Sequence, residues 1–423
     1  MKKPLTLPAD PPQVGRDFPA DADSRRIFRY DVWSAVLFMA VSDSLVGLFA
    51  FIARHSLGAS VEWVGIISSA GYVGFTWNLF LARFTARLSL RRGIMLAMTV
   101  CAGLIALASL QRGAVSYSLL IILFLLVYGL YQVQYNTLIG HVYGPGERPR
   151  LLSQRQLAIA AVSAVQVAIF GWMCKGTLGH LPAFLIAAVL MLAGAIVFRA
   201  IPTVKEHPME PFHPLDVGRA AFRNAAFRRM AIILTSYGWV GAGIGPVLVL
   251  LFQRCGFQED KVGLLVAIKT GGLLLGLLVI TPRLRFAGGI TNFRLSFIAA
   301  TFAVTCYLIT GFVELVELAF WVLGIGQFLF GISLAGFNIA LPTTGINLAT
   351  AGQTTLYVNA IMIVLGLRGM LMPLVVASSL RVAGLEMSLL ITMAVGIACS
   401  VIVLIPGIDA MTGTGRQAHL ETA

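Results

Sequence analysis

Gly58-Ala59-Ser60-Val61-Glu62-Trp63-Val64-Gly65 has a counterpart 198 residues further on, Gly256-Phe257-Gln258-Glu259-Asp260-Lys261-Val262-Gly263. Each stretch starts on glycine, carries an acid to the end of a polar connection, and opens an apolar run with Val-Gly. The same shift places Gly74 on Gly272 and Arg87 on Arg285, and a shift near 202 places Asn136 on Asn338. The sequence therefore reads as two copies of one unit laid end to end.

Apolar runs flank both copies. Of the 423 residues, 58% are hydrophobic and 12% charged, against roughly 25% charged in a soluble domain. A soluble globular enzyme is excluded by that balance. Runs long enough to cross a bilayer, about 20 residues each, fall at 31–53, 61–82, 93–111, 117–141, 155–174, 181–199, 230–252, 261–282, 290–310, 317–341, 354–379 and 382–405. The expected fold is thus an all-α integral membrane protein, twelve transmembrane helices in two pseudo-symmetric six-helix bundles. The expected division is a disordered tail at 1–29, bundles at 30–200 and 230–405, a linker at 201–229 and a tail at 406–423. The five cysteines are scattered, so no disulfide framework is expected, and a bridge from Cys174 to Cys255 is disfavoured.

The net charge of +13 is distributed in alternation, which argues for a lipid bilayer as the partner and against nucleic acid. The N-terminal tail and the connections after even-numbered helices, with the C-terminal tail, hold 23 Lys and Arg, and the connections after odd-numbered helices hold six. The positive-inside rule then puts both termini in the cytoplasm of a cell with this protein in its cytoplasmic (inner) membrane. The linker is basic, with Arg219, Arg223, Arg228 and Arg229 suited to lipid phosphates. Residues 1–29 contain no apolar segment of the signal-peptide kind.

Two bases escape that distribution, Lys269 in helix 8 and Arg368 in helix 11, and Asp43 lies deep in helix 1. At mid-membrane each costs at least ~2.5–3.5 kcal/mol if it faces lipid, so each is expected to face an inner cavity or a partner. Either substrate or coupling-ion binding, or a structural ion pair, satisfies that requirement. The repeat matches Asp43 with Gly241 and Lys269 with Gly71, so the fold itself requires neither charge; it matches Arg368 with Gln166, so helices 5 and 11 are expected to turn a polar group toward the same depth, and Gln166 joins the candidate site. In helix 4, Tyr128, Tyr131, Gln132 and Tyr135 share one face by their i, i+3, i+4, i+7 spacing. That stripe reads as a cavity lining, with an interfacial aromatic belt as the alternative; Tyr143 suits the belt better. Tyr237, Trp239, Gln327 and Asn338 are weaker candidates. No pair of the six histidines has ligand spacing, and Ile268 stands where a phosphate-cradling loop needs glycine. Neither a metal nor any other cofactor is expected, and no enzyme.

On these features the chain resembles the major facilitator superfamily over about residues 28–405. The likeness rests on the six-plus-six arrangement, the Gly58–Gly65 loop, the basic stretch Arg83 to Arg92 after helix 2, Arg223-Asn224-x-x-Phe227, and Gly366-Leu367-Arg368-Gly369 through Pro373. The resemblance implies a binding site between the halves, lined by helices 1, 4, 7 and 10. It also implies a gating role for Arg87 and Arg91. Where the family has a glycine and an aspartate, this chain has Asn78 and Ala86, so the latch that the aspartate helps form is altered. Helix 4 holds no arginine of the kind found in proton-coupled drug exporters.

The functional expectation is a secondary transporter moving a small-molecule substrate by alternating access. One acid and two bases favour an organic anion, with Asp43 as a proton-coupling group. Transport of cations, metals or amphipathic drugs, and a scaffold or assembly factor that moves no solute, are the alternatives.

Overall fold

The computed structural model describes residues 21–85, 89–143, 148–201, 222–280, 288–348 and 354–404. The tails, most of the linker, Arg87 and Ala86 lie outside the described residues. The helix α1 runs as Asp21–Ala35, a π-helical turn Val36–Ala40, and Val41–His55. It begins ten residues before the expected span, because an apolar run marks only the part of a helix that needs lipid. The next five are α2 (Val61–Thr85), α3 (Leu90–Ser109), α4 (Ala114–Val142), α5 (Arg148–Cys174) and α6 (Leu181–Phe198).

The second half repeats the pattern. Its α7 is interrupted, Ala225–Gly241 then Ile244–Arg254, at the glycine-rich stretch before Pro246. The helix α8 spans Glu259–Leu275 and ends in a second π-helical segment, Gly276–Ile280. It is followed by α9 (Gly288–Thr310) and α10 (Val316–Leu348). The last stretch, Thr354–Leu404, is two helices joined at a kink, where Gly384 has φ 78°. These are α11 (354–383) and α12 (385–404). Ten stretches of the described residues are long and apolar enough to cross a bilayer, and one of them, Ala360–Ile402, is the α11–α12 pair.

Local chemistry explains several helix ends. Ser89 caps α3 by accepting from the Arg92 backbone N–H at 3.4 Å. Pro182 sits in the first turn of α6, where its missing N–H leaves no intrahelical bond unmade. Gly58 and Gly256, equivalent in the repeat, turn the chain after α1 and α7 with φ of 71° and 67°, a conformation that side-chain-bearing residues avoid.

Within the first half α3 packs on α4 and α6, and α1 on α5 and α6. In the second, α9 packs on α10 and the α11–α12 pair. Two seams join the halves, α5 against α8 and α2 against α11. At the first, Gly171 and Gly263 bring their backbones so close that a Cβ on either would lie 2.8 Å from the other's Cα. At the second, Gly65 approaches Ala377. Gly65 and Gly263 are again equivalent positions, each three residues after the repeated acid. Large apolar side chains such as Trp172, Ile196 and Val382 are exposed on the outside, where lipid replaces water.

Candidate functional site

Helices α1, α4 and α8 build the first part of the site. Asp43 lies just past the π-helical turn of α1, accessible although Ser42 and Ser44 beside it are buried. Its carboxylate accepts a hydrogen bond from the Tyr128 hydroxyl at 2.8 Å. The Gln132 amide donates to that same hydroxyl at 2.9 Å. Lys269 on α8, from the other half, is the first charged group acting on Asp43 electrostatically. It is half-buried and makes no side-chain hydrogen bond or ion pair among the described residues. An acid and a base therefore face each other across the halves without closing into a pair.

The rest of the helix-4 stripe packs deeper in the first half in this conformation. Tyr131 and Tyr135 are buried inside the first half, because α1 offers an aromatic ring and an acid at their depth. Tyr131 packs edge-on against Phe38 with centroids 4.6 Å apart. Tyr135 donates to Asp31 at 2.7 Å. The three tyrosine rings stack in sequence at 6.0 and 5.8 Å. Tyr143 is no belt residue: it is buried and donates to Asp31 at 2.9 Å.

Asp31 and Arg155 join the site without having stood out by spacing or depth in the sequence. The α5 helix starts at Arg148, so Arg155 is a helix residue and not a charge on the preceding connection. Its Nε lies 3.3 Å from the Asp31 carboxylate, although the angle is too poor for a hydrogen bond. Its guanidinium lies 4.0 Å from the Tyr135 ring centroid and points one nitrogen at Met39 Sδ, 2.8 Å away. One sequence signal points toward them: a further tyrosine, Tyr143, eight residues after Tyr135 and just past the end of α4.

Arg368 on α11 is the contrasting case. It is buried, and one nitrogen donates to the Leu234 carbonyl on α7. Its guanidinium lies 4.8 Å from the Phe337 ring and 5.6 Å from that of Tyr237. The Tyr237 ring stacks on Phe337 at 4.4 Å, and its hydroxyl is 2.6 Å from Ser333. The groups acting on Arg368 electrostatically are the phenols of Tyr72, from α2 of the other half, and Tyr237. No carboxylate is among them, and Nε has no hydrogen-bond partner among the described residues. Gln166, the repeat's match to Arg368, is half-buried with an unpartnered Oε1.

Other candidates take lesser places. Trp239 turns away to Thr392 on α12, 3.4 Å from its hydroxyl. Gln327 is buried and Asn338 exposed. Arg91 bonds the Arg199 carbonyl, tying α3 to the end of α6 inside one half. The five cysteines are free.

Polar ties between the halves gather at the end bearing Gly58 and Gly256. Glu62 pairs with Arg381 at 3.1 Å and Asp260 with Lys175 at 2.8 Å. These acids are equivalent in the repeat, and their bases end α11 and precede α6, just past α5. Ser56 donates to Glu259, and Arg54 donates to Gln253 at 3.1 Å. Burial of Glu259 makes the α5–α8 side of this closure the drier one.

No family model matches the chain, and no curated protein matches it by sequence. Solved structures do. The nucleoside transporter NupG aligns with 92% of this chain and 98% of its own, at TM-score 0.68 and 14% identity. The human organic anion transporter MFSD10 (TETRAN) aligns with 90% and 99%, at 0.65 and 15%. A peptide transporter, POT, in complex with alafosfalin aligns with 92% and 95%, at 0.68 and 14%. The fold is therefore the major facilitator fold, helical throughout the described residues and consistent with two pseudo-symmetric six-helix halves, and the three proteins named are transporters.

Proposed function

We propose that this chain is a secondary transporter of a small organic anion, working by alternating access between its two halves. Arg368 carries the reading. A buried guanidinium with no acid beside it among the described residues, and with Nε lacking an acceptor among them, is an incomplete arrangement that an anionic substrate completes. Its two aromatic neighbours hold the guanidinium flat and leave its edge to bind a carboxylate or phosphate oxygen. In this conformation Nε is enclosed, so the substrate reaches it when α2 and α11 part.

Lys269 is the second positive group, and Asp43 competes for it. While Asp43 is ionised it offsets the Lys269 charge. Once it takes up a proton, Lys269 is free to attract the substrate. Proton and anion then bind together, which couples uphill anion movement to a proton gradient. The resemblance to an organic anion transporter agrees with this reading, whereas the nucleoside and peptide transporters of the same fold show that the architecture alone sets no substrate.

The charge asymmetry places both termini and the linker in the cytoplasm, in the cytoplasmic membrane. In this reading the chain divides into bundles at 30–200 and 230–405, joined by the cytoplasmic linker. The closed Gly58–Gly256 end is then the outer one, shut to the outside. Cysteine labelling of the linker in intact cells tests the orientation: labelling from outside overturns it. For the function itself, purified protein in vesicles should accumulate a radiolabelled organic anion when an inward proton gradient is imposed. Anion uptake equal to that of empty vesicles across a carboxylate panel would count against the proposal.

A further inference from the structure

Asp31 and Arg155 lie inside one half, on neither seam, and no step of the transport reading uses them. Taking both charges out of water costs much of what their attraction returns, and apolar residues of similar volume often stabilise as well. Their position suggests what the pair is for. On α1, Asp31 precedes the π-helical turn Val36–Ala40 and Asp43 follows it. Arg155 contacts Met39, within that turn, and its plane covers Tyr135, the last ring of the stacked column. The first ring of the column belongs to Tyr128, which donates to Asp43. One guanidinium thus touches both structures that place the Asp43 carboxylate, the bulged turn below it and the tyrosines beside it. π-helical turns of this kind are frequent at functional sites.

We propose that Arg155 is a positioning residue for Asp43: it clamps the π-helical turn of α1 and the α4 tyrosine column, and its charge helps to set whether Asp43 holds a proton. Asp31 anchors Arg155, taking donors from Tyr135 and Tyr143 as well. The titratable groups acting on Asp43 are Tyr128 and Tyr131 on α4, Arg155 on α5 and Lys269 on α8. Asp31 lies twelve residues before Asp43 on α1, whereas Met39, which the Arg155 guanidinium touches, lies four before it, so the positive member of the pair is the nearer one and the two charges do not cancel at Asp43. The inference rests on Asp43 as the coupling group, and its test therefore reads the Asp43 proton directly, without substrate.

Infrared titration of the carboxylic acid C=O stretch, on the full chain in lipid nanodiscs, supplies that readout, with Asp43→Asn identifying the band. The charge-balanced double variant Asp31→Asn/Arg155→Gln avoids leaving one buried charge alone, and thermal melting confirms that it folds. With both charges gone the nearer, positive one is the larger loss at Asp43, so the band should persist to higher pH by about half a pH unit, roughly a threefold change in proton concentration. Arg155→Lys, which keeps the charge, should stay near the wild-type midpoint. A folded double variant titrating with the wild type overturns the proposal, as does the absence of any Asp43-dependent band in all of these proteins. Proton-driven uptake by the wild type, measured alongside, shows whether the transport reading falls with it or survives alone.

Discussion

Arg155 and Arg368 stand on helices that correspond in the two halves, α5 and α11. Both are buried, at 4% and 6% exposure, and both lie against aromatic rings. Arg155 has a carboxylate 3.3 Å away, whereas among the described residues Arg368 has phenols, the Phe337 ring and a backbone carbonyl but no carboxylate. The same residue type thus serves opposite ends. In the first half the charge is balanced by Asp31; in the second no described carboxylate balances it, and the proposed function assigns that part to the substrate. On the proposed reading, duplicated architecture has been put to unequal use, one half holding Asp43 as the acid that takes a proton and the other holding Lys269 and Arg368 as the bases that attract the cargo.

The largest effect expected from this contrast is on stability. Arg155→Gln alone leaves Asp31 buried without its counter-charge and should cost about 3–5 kcal/mol. Adding Asp31→Asn should recover most of that loss in denaturant or thermal unfolding of the detergent-solubilised protein. Arg368→Gln should do the reverse: ligand-free stability holds or rises, because no acid is orphaned. Anion binding by the same variant should weaken roughly 10- to 100-fold, in line with about 1.5–3 kcal/mol for a hydrogen bond to a charged group. Equal destabilisation by the two single variants would erase the contrast.

A smaller effect separates binding from coupling. Asp43→Asn mimics only the protonated acid, so anion exchange should persist within about threefold while accumulation against a gradient fails. Lys269→Gln in the same assay should weaken binding less than Arg368→Gln, since Lys269 is only half-buried. The smallest effect is at the closed end. Asp260→Asn loses a part-exposed pair with Lys175, worth about 0.2–1 kcal/mol, so spin-label distances across that end should show the open population rise at most about fivefold. Unchanged distances would mean that the glycine contacts alone keep this end shut.

Much of this architecture is legible in the amino-acid sequence. The duplicated Gly-to-Gly stretches mark the repeat, the turn glycines, the paired acids Glu62 and Asp260, and the crossing glycines Gly65 and Gly263 three residues later. Long apolar runs mark the helices for a physical reason: in lipid the backbone must satisfy itself. Asp43, Lys269 and Arg368 stand out because charge is costly there. Arg155 does not, since the apolar run of α5 begins where that residue sits and a cation at such an edge resembles a loop charge. Asp31 is hidden at the equivalent edge of α1. The i, i+3, i+4, i+7 spacing groups Tyr131 and Tyr135 with Tyr128 without telling their burial, because a shared face fixes which residues travel together and not what the face meets. Neither π-helical segment has a sequence signature, and the break at Gly384 falls a few residues beyond the expected one.

The Gly171–Gly263 contact has a mechanical meaning. Two helices touching backbone to backbone, with no side chains interlocked at that point, form a bearing that can roll. The contact lies three residues from the end of α5, a helix of 27 residues. At 1.5 Å per residue the remaining arm to Arg148 is about 34 Å long, so a tilt of about 10° about the contact carries the far tip through about 6 Å. A pivot set so close to one extremity gives large travel at the opposite mouth for little disturbance at its own, and a single methyl group on either glycine would jam it.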